Sequence, residues 1–364
     1  KLHQQVARAL ETQYAKRLDE HGAELAEHFS QSTDPADLAK AVSYGELAAK
    51  RAIDVFAYGE AVRLFEHTLK VQRVLAPEDK AKQCDLLLEL GEALNISGQP
   101  KRAVDIELPE AFSLAEAIGD SARASLACTL AIVGLVYYGA STSFNTPEFA
   151  RWAERADRYA APDTVARVWA DFSVSRVKLR HPALRAEGRR LFQQALELAR
   201  RLGDPEAFWF VGYYRLMSGS LRITEERWRL AEELASLSRS GVAVKTLAMA
   251  LGNIWFVFME QGQRQRADEI RKEHKKLAEH TGQAHAVLLA MELESWEAVM
   301  DGRLEEVTTI VKEILSRGEE LGIPEYAAVA AVQAGIQDHL LLGNKDVTLQ
   351  FLNGTISSVT TVNK

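Results

Sequence analysis

Two interleaved series of helix-breaking positions run through the chain with a common period, and this constrains the fold more than any single motif. One series falls at about Phe56, Gly98, Gly139, His181, Gly219, Gly262, Gly302 and Gly343. The other falls at about Pro77, Gly119, Pro162, Gly203, Gly241, Gly282 and Gly322. Neighbours within each series stand 38 to 43 residues apart. The second series has a recurrent wording: Ile118-Gly119-Asp120, Leu202-Gly203-Asp204-Pro205, Thr281-Gly282-Gln283 and Leu321-Gly322-Ile323-Pro324. Glycine closes a helix in the left-handed region, and the Asp or Pro that follows starts another. The stretches between breaks carry apolar residues at three- and four-residue steps. In residues 41–71 these are Ala41, Tyr44, Ala48, Ala52 and Val55, then Ala61, Leu64, Phe65, Thr68 and Leu69. Such spacing gives each helix one apolar stripe. A single hairpin of two such helices cannot bury its stripes, so the copies must stack. The spacing predicts seven full hairpins from about residue 34 to 322 and an eighth begun at Ile323: an all-α solenoid of about eight antiparallel hairpins.

The chain brackets this array with two different ends. Residues 1–33 read as an N-terminal helical hairpin, with Leu2, Val6, Ala9 and Leu10 on one side of the first helix and a second helix at 22–30. Asp34-Pro35 then starts the array over 34–343, Asp34 accepting from free backbone amides and Pro35 fitting the first helical position. Over 344–364 the residues predict a partial last helix and an irregular tail, with a turn at Asn353-Gly354 and β-branched residues beyond. Lys1 enters directly into a helical pattern, which predicts a piece of something longer.

Composition narrows the function classes. The 364 residues include 44 Lys and Arg against 51 Asp and Glu, a formal net charge of −7. A general nucleic-acid binder carries a basic surplus, so direct nucleic-acid binding is not expected. The most apolar run, 126–138, is shorter than the roughly 20 residues a bilayer demands, so it predicts a buried helix rather than a membrane contact. Cys84 and Cys128 sit inside helical patterns as small apolar groups of a reducing compartment, and the expected location is cytoplasmic. No phosphate-cradling G-x-x-x-x-G-K-[ST], no H-E-x-x-H and no CxxC is present, so neither a cofactor nor a metal is expected. The basic run Arg264, Arg266, Arg271, Lys272, Lys275 and Lys276 is interleaved with Asp268, Glu269 and Glu273, the pattern of a solvated outer face.

A finer wording identifies the repeat. Leu90-Gly91 precedes Gly98 by seven, counted from Gly91, and Ala103 follows by five; Gly212 precedes Gly219 by seven; Ala267 follows Gly262 by five. Glycine within a helix costs about 1 kcal/mol against alanine, which predicts close approach of a neighbouring helix. With Glu60-Ala61, Phe65 and Leu69, this wording resembles the tetratricopeptide repeat, although a period near 40 exceeds the usual 34. The resemblance implies a right-handed superhelix of the long-helix variety; a HEAT-like array is the fallback. The opening is more specific. Leu2-His3, residues 6–11, 24–29 and 40–44, Ala48-Ala49 and residues 57–61 resemble the junction where bacterial STAND-type signalling ATPases pass into their repeat arm. Such proteins include LuxR-type regulators of the maltose-activator kind and ATPase-coupled class III nucleotidyl cyclases. The likeness covers 2–75 and is generic beyond; 139–190 depart from the repeat wording.

In that architecture the first helix of each hairpin lines the groove. Placing the Leu-Gly-like pair at Val211-Gly212 turns Trp209 and Tyr213 toward it; placing it at Leu251-Gly252 gives Asn253 and Phe256. The seventh hairpin gives Glu292 and Trp296, the third Tyr138, and the intervening one Arg176. Such a lining suits a small polar effector or an extended peptide, and large aromatics also fill gaps between long helices. Arg215 falls where a core aromatic is usual, which predicts a carboxylate partner or a register shifted by one. The resemblance implies a non-catalytic sensor or scaffold arm whose partners are a protein or small-molecule effector and its own upstream ATPase domain. The alternative is a free-standing adaptor that binds a peptide segment of a partner protein. An enzyme built on the solenoid is the third possibility.

Overall fold

The helices begin and end at the two series of breaks. In the computed structural model, which describes residues 2–217, 224–343, 346 and 349, α1 (Leu2–Gln13) and α2 (Gly22–Ser30) open the chain. Hairpins follow: α3 (Pro35–Asp54) with α4 (Tyr58–Leu75), α5 (Lys80–Ile96) with the segmented α6 (Pro100–Arg102) and α7 (Leu108–Ala117), α8 (Ser121–Gly139) with α9 (Pro147–Tyr159), and α10 (Val165–Leu179) with α11 (Arg185–Leu202). Next come α12 (Pro205–Met217) with α13 (Glu225–Ser236), α14 (Val244–Glu260) with α15 (Arg264–Thr281), α16 (Ala284–Met300) with α17 (Leu304–Glu320), and then α18 (Pro324–Leu341). Among the described residues there is no strand. The break near Gly219 and the tail, apart from positions 346 and 349, lie outside the described residues.

The fold is thus an all-α stack of antiparallel hairpins of tetratricopeptide-like form. Two compact units are present, Lys1–Ala195 and Leu196–Lys364, divided within α11. In the second unit α12 packs on α14, α14 on α16 and α16 on α18, whereas α13, α15 and α17 make at most marginal contact with one another. First helices therefore form one tightly packed layer and second helices a looser one. In the first unit α5 likewise packs on α8, and α8 on α10.

Local chemistry explains the boundaries. Asp34 accepts a hydrogen bond from the Ala36 amide at 2.9 Å and Pro35 opens α3. Gly98, Gly262 and Gly302 take the positive φ that closes their helices, and Phe56 does so at φ 62° without being glycine. Val55 lies just past the end of α3 and is exposed, while Ala41, Ala48, Ala52 and Phe65 are buried. Burying a side chain of Phe65's size contributes about 2–3 kcal/mol. In α1 Ala7 is buried and Leu10 packs in the same cluster with Leu25 and Phe29 of α2, while Leu2 and Ala9 of the side read in the sequence stand exposed. A Cβ on Gly91 would sit 2.6 Å from a methyl of Leu108 on α7, so this glycine permits the close approach its position predicts. Between α6 and α7 a π turn spans Ala103–Glu107, with the Leu108 amide donating to the Ala103 carbonyl. Pro109 has no amide to donate and its ring crowds the preceding turn, and the wider turn accommodates it.

Helix α8 is the most apolar. Its segment Ser121–Tyr138 has mean hydropathy 1.3 and is long enough to cross a membrane, but over half of it is buried in the fold against α5, α7 and α9. Cys84 and Cys128 are free and buried; burial pushes their thiols up to about 11 and about 12. Neither is primed as a nucleophile.

Candidate functional site: the first-helix layer of the second unit

The sequence-predicted residues divide into three groups. Tyr138, at the end of α8, is 41% exposed, with the Lys101 Nζ 5.3 Å from its ring centroid. Arg176, on α10, lays its guanidinium 4.5 Å from the Phe144 ring. These two belong to the first unit. Trp209 and Tyr213, on α12, are almost wholly buried, Trp209 beneath the guanidinium of Arg239 at 5.4 Å. The remaining four lie on the packed helices α14 and α16, and two of them touch. Phe256 and Trp296 meet edge to face, with centroids 4.6 Å apart and planes at 85°. Asn253, one turn before Phe256, donates its side-chain amide to the Met249 carbonyl at 2.8 Å. Glu292, one turn before Trp296, is only 6% exposed.

Helix α16 places His285, Leu289, Glu292 and Trp296 at three-, four- and seven-residue steps, hence along one face. Leu289 packs with Ala248 of α14, and the absent Cβ of Gly252 leaves room for it. From α18, Tyr326 stacks edge-on against His285 at 4.6 Å and sends its hydroxyl to the Met249 sulfur of α14 at 4.0 Å. The Lys245 Nζ of α14 lies 6.0 Å from the Tyr326 ring centroid. Lys245, His285 and Tyr326 were not among the sequence-predicted residues. A signal existed for Lys245: it is the only charged residue of α14 before Glu260. No comparable signal marks Tyr326, which reaches Met249 across 77 positions.

Electrostatics sets this layer apart. Burial pushes the Glu292 carboxyl up to about 8. Burial also holds the Lys245 ammonium well below the usual lysine range. The Tyr326 phenol is pushed up by burial and then by the charges of Glu292 and Tyr214. Among the described residues no hydrogen bond or ion pair reaches Glu292. The buried Trp296 Nε1–H likewise has no acceptor. Unmet buried polar groups cost about 1–3 kcal/mol each and call for a reason.

Many charges elsewhere are paired. Arg215 binds Glu226 at 2.8 Å, the carboxylate its position called for. The basic run on α15 is used between hairpins: Arg264 binds Asp301 at 2.6 Å, Arg266 binds Glu232 at 2.9 Å, and Arg271 binds Glu297 at 3.2 Å. These pairs bridge successive hairpins instead of lying along one helix. A cavity of about 300 Å³ beside α15 has the wholly buried His274 at its wall, with Arg271, Lys275 and Arg317 around it. Burial lowers the His274 imidazole to about 4, so it is neutral at physiological pH. Among the described residues no group of three or more His, Cys, Asp or Glu side chains is placed to hold a metal ion.

No family model matches the chain, and no curated protein matches it. Among solved structures, a Rap protein complexed with competence and sporulation factor aligns with 94% of this chain and 81% of its own, at 9% identity and a TM-score of 0.44. The helical pairing described above is what defines the fold.

Proposed function

We propose that the chain is a binding module, not a catalyst, and that the first-helix layer of its second unit holds an extended segment of a partner protein. One observation carries this: the Phe256–Trp296 pair, half-buried, with an indole N–H that has no acceptor. An extended segment supplies backbone carbonyls for such a donor and side chains for the aromatic walls. A small effector with a carbonyl is the competing occupant. Selection of random peptides on the immobilised chain tests the choice. Peptides enriched on the wild type and lost on Trp296→Ala and Phe256→Ala support segment binding. Failure of both variants to alter the selected pool would refute it. These positions suit the test because they are only half-buried, whereas truncating Trp209 or Tyr213 would disturb the packed interior.

A second reading is favoured by the opening helices. Asp37 of α3 accepts from Gln4 of α1 at 2.5 Å and from Ser32 at 2.9 Å, and Arg8 stands 3.5 Å away. Glu11 of α1 accepts from both Lys40 and Tyr44 of α3, each at 2.6 Å. So tied, α1 would carry a shift of the first hairpin to anything attached before it, as the arm of a signalling ATPase would require. The full-length coding sequence tests this: an ATPase domain directly before Lys1 supports it, and a start codon there removes it.

A further inference from the structure

We infer that the first-helix layer of the second unit receives a cationic group, the side chain of an arginine or lysine or a free N-terminal amine, against the carboxylate of Glu292. Resting on the segment-binding reading above, this names the anchor of the bound segment.

Glu292 is 94% removed from solvent by its 6% exposure, yet no hydrogen bond or ion pair among the described residues meets it. A carboxylate in that position is tolerated only if it is neutralised or matched. The groups around it do not match it. On its own helix, His285 lies two turns before it, against Tyr326. From α18, Tyr326 supplies no countercharge, and its phenol is raised by burial and then by the charges of Glu292 and of Tyr214 on α12. From α14, Lys245 lies 6.0 Å from the Tyr326 ring centroid, and the cause of the Glu292 shift is burial. Helices α15 and α17 lie against the other faces of α16, with Arg271 of α15 bound to Glu297 and α17 contributing Val307, Val311 and Ile314. Tyr326 feels the charge of Glu292, and Trp296, paired with Phe256, stands one turn on along the same face of α16. A buried acid on the same helix face as aromatic rings suits a guanidinium or ammonium, the carboxylate supplying charge and the rings cation–π attraction.

Burial keeps a proton on the empty site at neutral pH, so a cation that binds the carboxylate releases that proton. Affinity then rises with pH, up to about tenfold per pH unit, and levels off above about 8, where the proton has already left.

Nα-acetyl-arginine N-methylamide and its citrulline counterpart, which keeps the shape and lacks the charge, separate this from other binding. Titrated calorimetrically into the intact chain, the arginine probe is expected to bind at least about tenfold more tightly than the citrulline probe at pH 8. The preference should shrink as pH falls to 6, and Glu292→Gln should abolish it. Equal affinity for the two probes, a preference that survives Glu292→Gln, or a pH-independent preference would overturn the inference. Selected peptides that bind through Trp296 but lack a basic residue would also overturn it while leaving segment binding standing. Arginine-probe binding with no peptide selected at all would retain the cation site and overturn segment binding.

Discussion

The first-helix layers of the two units solve the same packing problem with opposite electrostatics. In the first unit successive first helices are joined by ion pairs: Glu46 of α3 with Lys82 of α5 at 2.6 Å, Lys50 of α3 with Glu89 of α5 at 2.7 Å, and Asp85 of α5 with Arg123 of α8 at 2.7 Å. In the second unit they meet through uncharged contacts and rings. Ser295 of α16 donates to the Ala334 carbonyl of α18 at 3.0 Å, and Phe256 of α14 meets Trp296 of α16. The carboxylate of Glu206 on α12 is turned onto the Ala243 amide and the Thr246 hydroxyl at the start of α14. Matched charges satisfy most of the first-unit layer, although Glu89 Oε2 and Asn95 Oδ1 on α5 have no hydrogen-bond partner. A buried acid and an indole N–H without partners leave a surface that gains by taking a ligand.

This contrast is sharpest in its response to pH. Glu292 binds its proton more tightly in the fold than in the unfolded chain, since burial lifts its carboxyl from 4.5 to about 8. Its contribution is therefore fully present at low pH and is lost as pH rises through about 8. The loss is on the order of 4 kcal/mol at most, because water entry and local relaxation soften it. Asp37 in the first unit runs the other way. The hydrogen bond from Gln4, aided by Ser32 and Arg8 and opposed by burial, holds its carboxyl below 3.8. Its contribution is present above that value and lost as pH falls through the lowered one. Hydrogen exchange followed helix by helix should show α16 loosening as pH rises from about 4.5 to about 8, and α1–α3 loosening only in strong acid. Glu292→Gln should remove the loosening of α16; if α16 of that variant still loosens with rising pH, the contrast has another origin.

The architecture was legible because it depends on short-range chemistry. Gly98, Gly262 and Gly302 close helices by local conformation, Asp34 caps locally, and Gly91 announces a close neighbour whatever that neighbour is. The candidate site was legible only where such local signals reached. Asn253, Phe256, Glu292 and Trp296 follow from the position of a Leu-Gly pair on α14 and one repeat later on α16, and of these Phe256 and Trp296 are in contact. The same rule also selects Trp209 and Tyr213, which are packed inside. Helical periodicity gives the face of a side chain but not how far the next helix covers it. The role of Tyr326 depends on α18 lying close enough to reach Met249 of α14, a distance set by the stacking of three hairpins. Likewise, the basic run of α15 looks like a helix laced along its own length, yet its partners are Glu232 of α13, Glu297 of α16 and Asp301 just past the end of α16.

Smaller effects come from cutting matched charges. Asp37→Ala leaves the Gln4 amide and the Ser32 hydroxyl without their shared acceptor in a part-buried junction. It should cost about 2 kcal/mol. The loss should appear as faster exchange in α1 and α2, with α14 and α16 unchanged. Uniform destabilisation of every helix would mean that the two units do not respond separately.

The smallest effect is predicted for Arg123→Met. Arg123 bridges Asp85, on the first helix before it, and Asp120, three residues before it in its own chain, at 2.7 and 2.5 Å, but its side chain keeps 30% of its exposure. Solvent screens a pair so placed, and methionine preserves most of the aliphatic packing, so the cost should not exceed about 1 kcal/mol. The effect should also fade as salt rises from 50 mM toward 1 M, roughly the range over which the screening length contracts from above 10 Å to 3 Å. Glu292 has no exposed partner to screen, and its pH response should persist at high salt. Denaturant unfolding of both variants at low and high salt puts the two layers on one scale. A salt-insensitive loss of several kcal/mol at Arg123 would mean that the first-unit pairs are integral to the core, and the distinction between a satisfied layer and a receptive one would have to be drawn elsewhere.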